Sequence, residues 1–217
     1  HRENKKEERN LSFIILDIDY FKRVNDIYGH QKGDEVLSRV AAIVKNVVRS
    51  GDQVFRYGGE EIAILARQTS LEGAEVLAEK LRGAIYDDMV LHSLVKPEHR
   101  VSVSFGIANY TEHVSDPFTP DDKIHFHAAI GDIGRDFIRA ADMALYAAKK
   151  NGRNRVEVYD PYLEQLKCRD GIHVIDGAAP VSSVVKGGML AALGGYLTRA
   201  TAVASSLITA GFPYLNK

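Results

Sequence analysis

From Leu11 onward the chain alternates short apolar runs with longer segments whose apolar residues recur at helical spacing. Leu11 to Asp17 (LSFIILD) is β-branched and aromatic and ends in an acid, the mark of a buried strand giving way to a loop. Tyr20 to Tyr28 and Asp34 to Val48 have helical spacing, with Val36, Leu37, Val40, Ile43, Val44 and Val47 on one face. Gly29 and Gly33 are expected to separate these two helices. Gln53 to Tyr57 and Glu61 to Ala66 read as strands joined through Gly58-Gly59, a pair able to take positive φ at both turn positions. A helix at Ser70 to Tyr86, a strand at Arg100 to Ala108, a helix at Ile133 to Asn151 and a strand at Arg155 to Tyr159 complete the pattern. This order predicts a mixed sheet covered by helices, of the α/β or α+β class.

Charge divides the chain further. Residues 1–10 carry seven charges and read as a linker or helix end, while residues 177–217 hold only Lys186, Arg199 and Lys217. The expected organisation is therefore a charged lead at 1–10, one domain at 11–160 and an extension at 161–217. Gly188 to Ala210 is long enough to span a bilayer, but Arg199, paired glycines and hydroxyls favour a packing appendage or tail. The net charge of −1 disfavours a nucleic-acid partner. Cys168 is the only cysteine, which excludes an intramolecular disulfide and points to a reducing, cytoplasmic setting. The chain opens at His1 without a signal segment and reads as a piece of a longer polypeptide.

The candidate chemistry lies in the acids. Asp17 and Asp19 end the first strand, and Glu60 and Glu61 follow the glycine pair of a hairpin that is a candidate sheet neighbour. Four carboxylates brought to one sheet edge repel one another unless a cation lies between them, and hard oxygen donors select Mg²⁺ or Mn²⁺. Such an ion implies a phosphate substrate. A glycine tip also lets a nucleotide lie against the backbone.

Three stretches resemble the GGDEF-domain diguanylate cyclases. Asp17-Ile18-Asp19-Tyr20-Phe21-Lys22 through Asn25-Asp26, Gly29-His30 and Gly33-Asp34 is similar to the D-x-D-x-F-K-x-x-N-D-x-x-G-H-x-x-G-D motif. Arg56-Tyr57-Gly58-Gly59-Glu60-Glu61-Ile62 resembles the GGEEF form of the signature, with Ile62 in place of Phe. Asp142 to Lys149, with Gly152-Arg153-Asn154, resembles A-D-x-A-L-Y-x-A-K-x-x-G-R-N. The likeness implies a mainly antiparallel sheet of about five strands, similar to nucleotidyl cyclases and polymerase palms. It also implies condensation of two GTP into cyclic di-GMP with release of two pyrophosphates.

By the same resemblance, Asp17, the Ile18 carbonyl, Glu60 and Glu61 hold two Mg²⁺ (or Mn²⁺) per site, and Asp17, Glu60 and Glu61 form the catalytic set. Glu61 serves either as a ligand or in deprotonating the ribose 3′-hydroxyl. Lys22, Lys149 and Arg153 match triphosphate contacts, and Gly58 and Gly59 the nucleotide-facing tip. Asn25 and Asp34 match the guanine-reading pair; a carboxylate at Asp34 favours the N1–H of guanine over adenine. Taken alone, Asp34 equally suits a helix N-cap. Arg49 and Asp52 resemble the R-x-x-D site for product inhibition, although Arg49 followed by Gly51 also reads as a helix end. Catalysis would need a transient homodimer, each domain bringing one GTP, and the resemblance also implies an upstream sensory domain in the full-length protein.

Two features depart from the pattern. No D-x-L-T-x-L-x-N-R-R segment precedes Leu11, and the stretch from Asn109 to Ile133 is longer than expected and contains His125-Phe126-His127, which reads as a polar surface insertion. The rival from another class is a catalytically silent module that binds GTP or cyclic di-GMP; a polymerase-like nucleotidyl transferase lacks support in the neutral charge balance.

Overall fold

The computed structural model describes residues 10–96, 99–113 and 126–163. Of the features expected from the sequence, the charged lead at 1–9, His125, Cys168 and the apolar stretch from Gly188 lie outside them. In chain order the elements are β1 (Leu11–Ile18), α1 (Phe21–Tyr28), α2 (His30–Val47), β2 (Gln53–Gly58), β3 (Glu61–Arg67), α3 (Leu71–Tyr86), α4 (Met89–Leu94), β4 (Val103–Asn109), α5 (Tyr110–His113), α6 (Phe126–Lys150) and β5 (Val156–Val158). The five strands form one sheet in the order β2-β3-β1-β4-β5. All pairings are antiparallel except β4 with β5.

Strand β1 is central and buried along its whole length, which accounts for the apolar run at residues 13–16 within it. Alternate side chains feed two cores. Ile14, Leu16 and Ile18 pack among Val36, Val40 and Val44 of α2 and Leu81 and Ile85 of α3, while Leu11, Phe13 and Ile15 pack with Phe137, Ala141 and Leu145 of α6. By the same alternation Asp17 emerges on the α6 face. Its cross-strand partner on β3 is Glu61, which shares the face of Ala63 and Leu65.

Helix α6 approaches the sheet closely because its buried positions are largely alanine: Ala140, Ala141, Ala144 and Ala148. Opposite them stands Gly106 of β4, where a Cβ would overlap the carbonyl oxygen of Ala141 and the amide nitrogen of Leu145. The far end of the sheet is closed by a buried polar cluster. There the Ser12 hydroxyl donates to the Thr69 carbonyl at 2.9 Å and accepts from the Asn109 amide at 2.9 Å.

Several sequence expectations are corrected. Gly29 alone separates α1 from α2, with φ +85; Gly33 lies inside α2, buried against α1. Consequently Asp34 sits within the helix and is not its N-cap, a place taken by Gly29. Gly58 remains in β2, paired with Glu61, so the hairpin turn is Gly59-Glu60 and only Gly59 has positive φ. Helix α6 begins at Phe126, earlier than the predicted Ile133, and α4 and α5 were not anticipated.

Candidate active site

The carboxylates converge, but not all four alike. Asp17 and Glu61 face each other across β1 and β3, and Glu60 stands on the adjoining turn. Burial, reinforced by the Asp17, Asp142 and Glu60 charges against the opposing pull of Lys149, pushes the Glu61 carboxyl up to about 7. Burial also raises Asp17, although its side chain meets the Lys149 Nζ at 2.8 Å, which pulls the other way. Lys149 sits in the last turn of α6, where a cation also suits the negative end of the helix dipole.

Asp19 does not join this group. Its Oδ1 accepts from the Ser104 hydroxyl at 2.6 Å, and its Oδ2 from the Ser102 hydroxyl at 2.7 Å and the Asn154 amide at 3.0 Å. Those bonds make it a lock between β1, β4 and the loop after α6. In the motif it was indistinguishable from Asp17, because only the partner serines, some 85 residues away in sequence, reveal its role.

A second region adjoins the acids. A cavity of about 440 Å³ is lined by Lys22, Asn25 and Asp34 together with Phe21, His30, Arg56, Gly59 and Glu60. The hairpin turn thus belongs to both regions. Asn25 lies against α2 because Gly33 leaves the space; a Cβ there would overlap the Asn25 Oδ1. Lys22 is exposed and pairs with Asp26 at 3.0 Å. The Arg56 guanidinium donates twice to the Gly59 carbonyl, at 2.9 and 3.1 Å, bracing the turn that carries Glu60. Sequence reading assigned no role to Arg56, Phe21, His30 or Asp142, although all four stand within the quoted motifs.

Arg153, beyond α6, stacks on Tyr20, its guanidinium carbon 4.4 Å from the ring centroid. Arg49 and Asp52 lie apart from both regions. They occupy the opposite end of the hairpin from Gly59, a distance of about 20 Å for a six-residue strand. Asp52 accepts the Arg49 amide at 3.2 Å and the Arg67 amide at 3.3 Å, tying the turn after α2 to the end of β3.

The donors present fit a divalent cation of the Mg²⁺ type. Asp17, Glu61 and Glu60 offer hard oxygen donors, and two of them, Asp17 and Glu61, crowd unfavourably away from bulk water. Among the described residues no three carboxylates or imidazoles are grouped closely enough to form a ready-made metal cage. Mg²⁺ characteristically takes one or two carboxylates and completes its shell with water and substrate phosphates, which matches this open arrangement.

A family model for "Diguanylate cyclase, GGDEF domain" matches residues 1–120. The chain belongs to the GGDEF family. Among its relatives, diguanylate cyclase A of Treponema denticola is 34% identical over 151 residues, covering 70% of this chain and 36% of that protein. The chain therefore spans about a third of that relative's length. The active GGEEF domain of a diguanylate cyclase from Vibrio cholerae is 33% identical, with a TM-score of 0.55 over 73% of this chain and 88% of that one. The GGDEF domain of DgcB from Caulobacter crescentus, solved in complex with c-di-GMP, is 28% identical with a TM-score of 0.54, covering 72% of this chain and 82% of that one. The expected family and the mixed, mainly antiparallel sheet are thus both found. Among the described residues no helix of this GGDEF chain is long and apolar enough to cross a membrane.

Proposed function

We propose that residues 11–160 form a diguanylate cyclase that condenses two GTP into cyclic di-GMP and two pyrophosphates in the cytoplasm. The observation that carries this reading is the opposition of Asp17 and Glu61 beside Glu60, at the edge of a cavity holding Asn25 and Asp34. Asn25 and Asp34 would read the guanine edge, the carboxylate accepting from N1–H and N2–H. Lys22, Lys149 and Arg153 would take the triphosphate, with Gly58 and Gly59 leaving room for it along the hairpin. Asp17, the Ile18 carbonyl and Glu60 would hold two Mg²⁺, or Mn²⁺; bound there, such ions stabilise negative charge on the phosphoryl oxygens.

In each of two steps a ribose 3′-oxygen bonds to the α-phosphorus of the facing GTP and the bond to pyrophosphate breaks. The hydroxyl proton would pass to a carboxylate beside the ions, and Glu61, facing Asp17 across the strands, stands where it could act as that base or as a further ligand. Because one domain offers one guanine pocket, two must face each other transiently. Arg49 and Asp52, on the outer end of the hairpin, would bind product and inhibit. An upstream sensory domain would govern the encounter of the two cyclase domains.

Incubation with GTP and Mg²⁺, read by mass spectrometry, tests this. Cyclic di-GMP is expected from the unmodified chain and not from Glu60→Ala. Retained GTP binding without product in the unmodified chain would leave only a nucleotide-binding module.

A further inference from the structure

Two residues with strained backbones meet beside Asp19. Tyr20, between β1 and α1, has φ +57, and Arg153, between α6 and β5, has φ +63. Neither is glycine, and an aromatic residue in the left-handed region is uncommon, so the surrounding structure must hold it there. The restraint is visible. Asp19, the neighbour of Tyr20, accepts the amide of Asn154, the neighbour of Arg153, at 3.0 Å, and is itself fixed by Ser102 and Ser104. Asn154 is held from its other side by the Arg82 guanidinium, 3.1 Å from its Oδ1.

Above this lock the Tyr20 ring lies under the Arg153 guanidinium, 4.4 Å from centroid to central carbon, and its hydroxyl accepts from Arg153 at 3.2 Å. Tyr20 is nevertheless 60% exposed as a residue, so it is not placed to fill the core. Lys22, two residues further on in α1, lines the cavity with Asn25. A guanidinium stacked on one face and bonded at one nitrogen keeps its remaining N–H groups free in a fixed plane, the preorganisation that phosphate oxygens require.

We propose that Tyr20 is a positioning residue: its ring and hydroxyl hold the Arg153 guanidinium ready for the triphosphate. This rests on the reading of Arg153 as a phosphate contact. In this role Tyr20 would act through Arg153 and not on the reacting atoms.

The test measures calorimetric binding of α,β-methylene-GTP, which cannot release pyrophosphate, and of guanosine, which has no phosphate. Tyr20→Asn removes the ring but keeps a residue at ease in the left-handed region. It is expected to weaken the analogue about fivefold, the scale of a partly exposed cation–π contact, and to leave guanosine unchanged. Tyr20→Phe keeps the stack and should retain most of the affinity. Tyr20→Asn combined with Arg153→Ala should be no weaker than Arg153→Ala alone.

The inference is overturned if the two losses add, if guanosine binding falls equally, or if Tyr20→Asn binds the analogue normally while Arg153→Ala does not. Normal binding by Arg153→Ala itself would instead refute the phosphate role of Arg153, and the positioning role with it. Should Tyr20→Asn fail to fold, a Tyr20→Phe variant that binds as weakly as Arg153→Ala would count against the stack.

Discussion

Glu61 shows how much a single position depends on its neighbours. Its carboxyl ordinarily releases a proton near 4.5, but in the folded chain burial and the facing Asp17 move this to about 7. Between those values the folded state holds the proton and the unfolded state does not, so stability of the metal-free protein should fall as pH rises from about 4.5 to about 7. Denaturant midpoints measured across that range in a chelator should show the decline, and Glu61→Gln should flatten it. A Glu61→Gln profile parallel to the unmodified chain would place the titration elsewhere. Gly33 offers a second check. An alanine there suits a helix and should leave the melting temperature within a few degrees, yet it displaces the Asn25 amide and should weaken GTP binding about tenfold, the worth of one good hydrogen bond. At this scale the motifs disclosed which residues gather, because residue type and spacing are all that such chemistry requires. They did not disclose that Asp19 serves as a lock, since that role is defined by Ser102, Ser104 and Asn154, which only the fold brings to it.

Among the elements, α6 and the β2–β3 hairpin do most to shape the site. Lys149 reaches Asp17 because α6 lies nearly on the backbone of β4, a closeness set by its alanines and by Gly106. Gly106→Ala would meet backbone atoms that cannot swing away, and overpacking of this kind costs about 1–3 kcal/mol. A thermal melt should therefore fall by roughly 2–12 °C, and GTP binding should weaken as α6 withdraws Lys149. Arg56→Ala is the converse case. It frees the Gly59 carbonyl in an exposed turn, so activity should drop several-fold while the melting temperature hardly moves. The strands were legible because β1 and β3 carry the apolar runs at residues 13–16 and 62–66 and the hairpin has its own turn chemistry. The helix boundaries were less so. Gly33 looks like a breaker in sequence, but here it is the small residue that lets α1 and α2 touch, and a glycine cannot announce which use it serves.

Among the described residues the cavity, the facing acids and Lys22 and Lys149 stand toward one end of the sheet, with Arg49 and Asp52 at the other end of the hairpin. On the proposed function one such edge would activate one nucleotide, so the product would demand two copies of the chain. Arg49→Ala should leave the initial rate intact and postpone the slowing that accumulated product causes, which progress curves would record. The buried Ser12, Thr69 and Asn109 cluster lies away from this edge and closes the sheet, in keeping with a framework rather than a second site. The most direct measurement counts pyrophosphate and cyclic dinucleotide together from GTP and Mg²⁺ over a series of protein concentrations. Two pyrophosphates per cyclic di-GMP, with an initial rate rising as about the square of protein concentration where the dimer is sparse, is the predicted result. Orthophosphate in place of pyrophosphate, or a rate per chain that does not change with concentration, would contradict it.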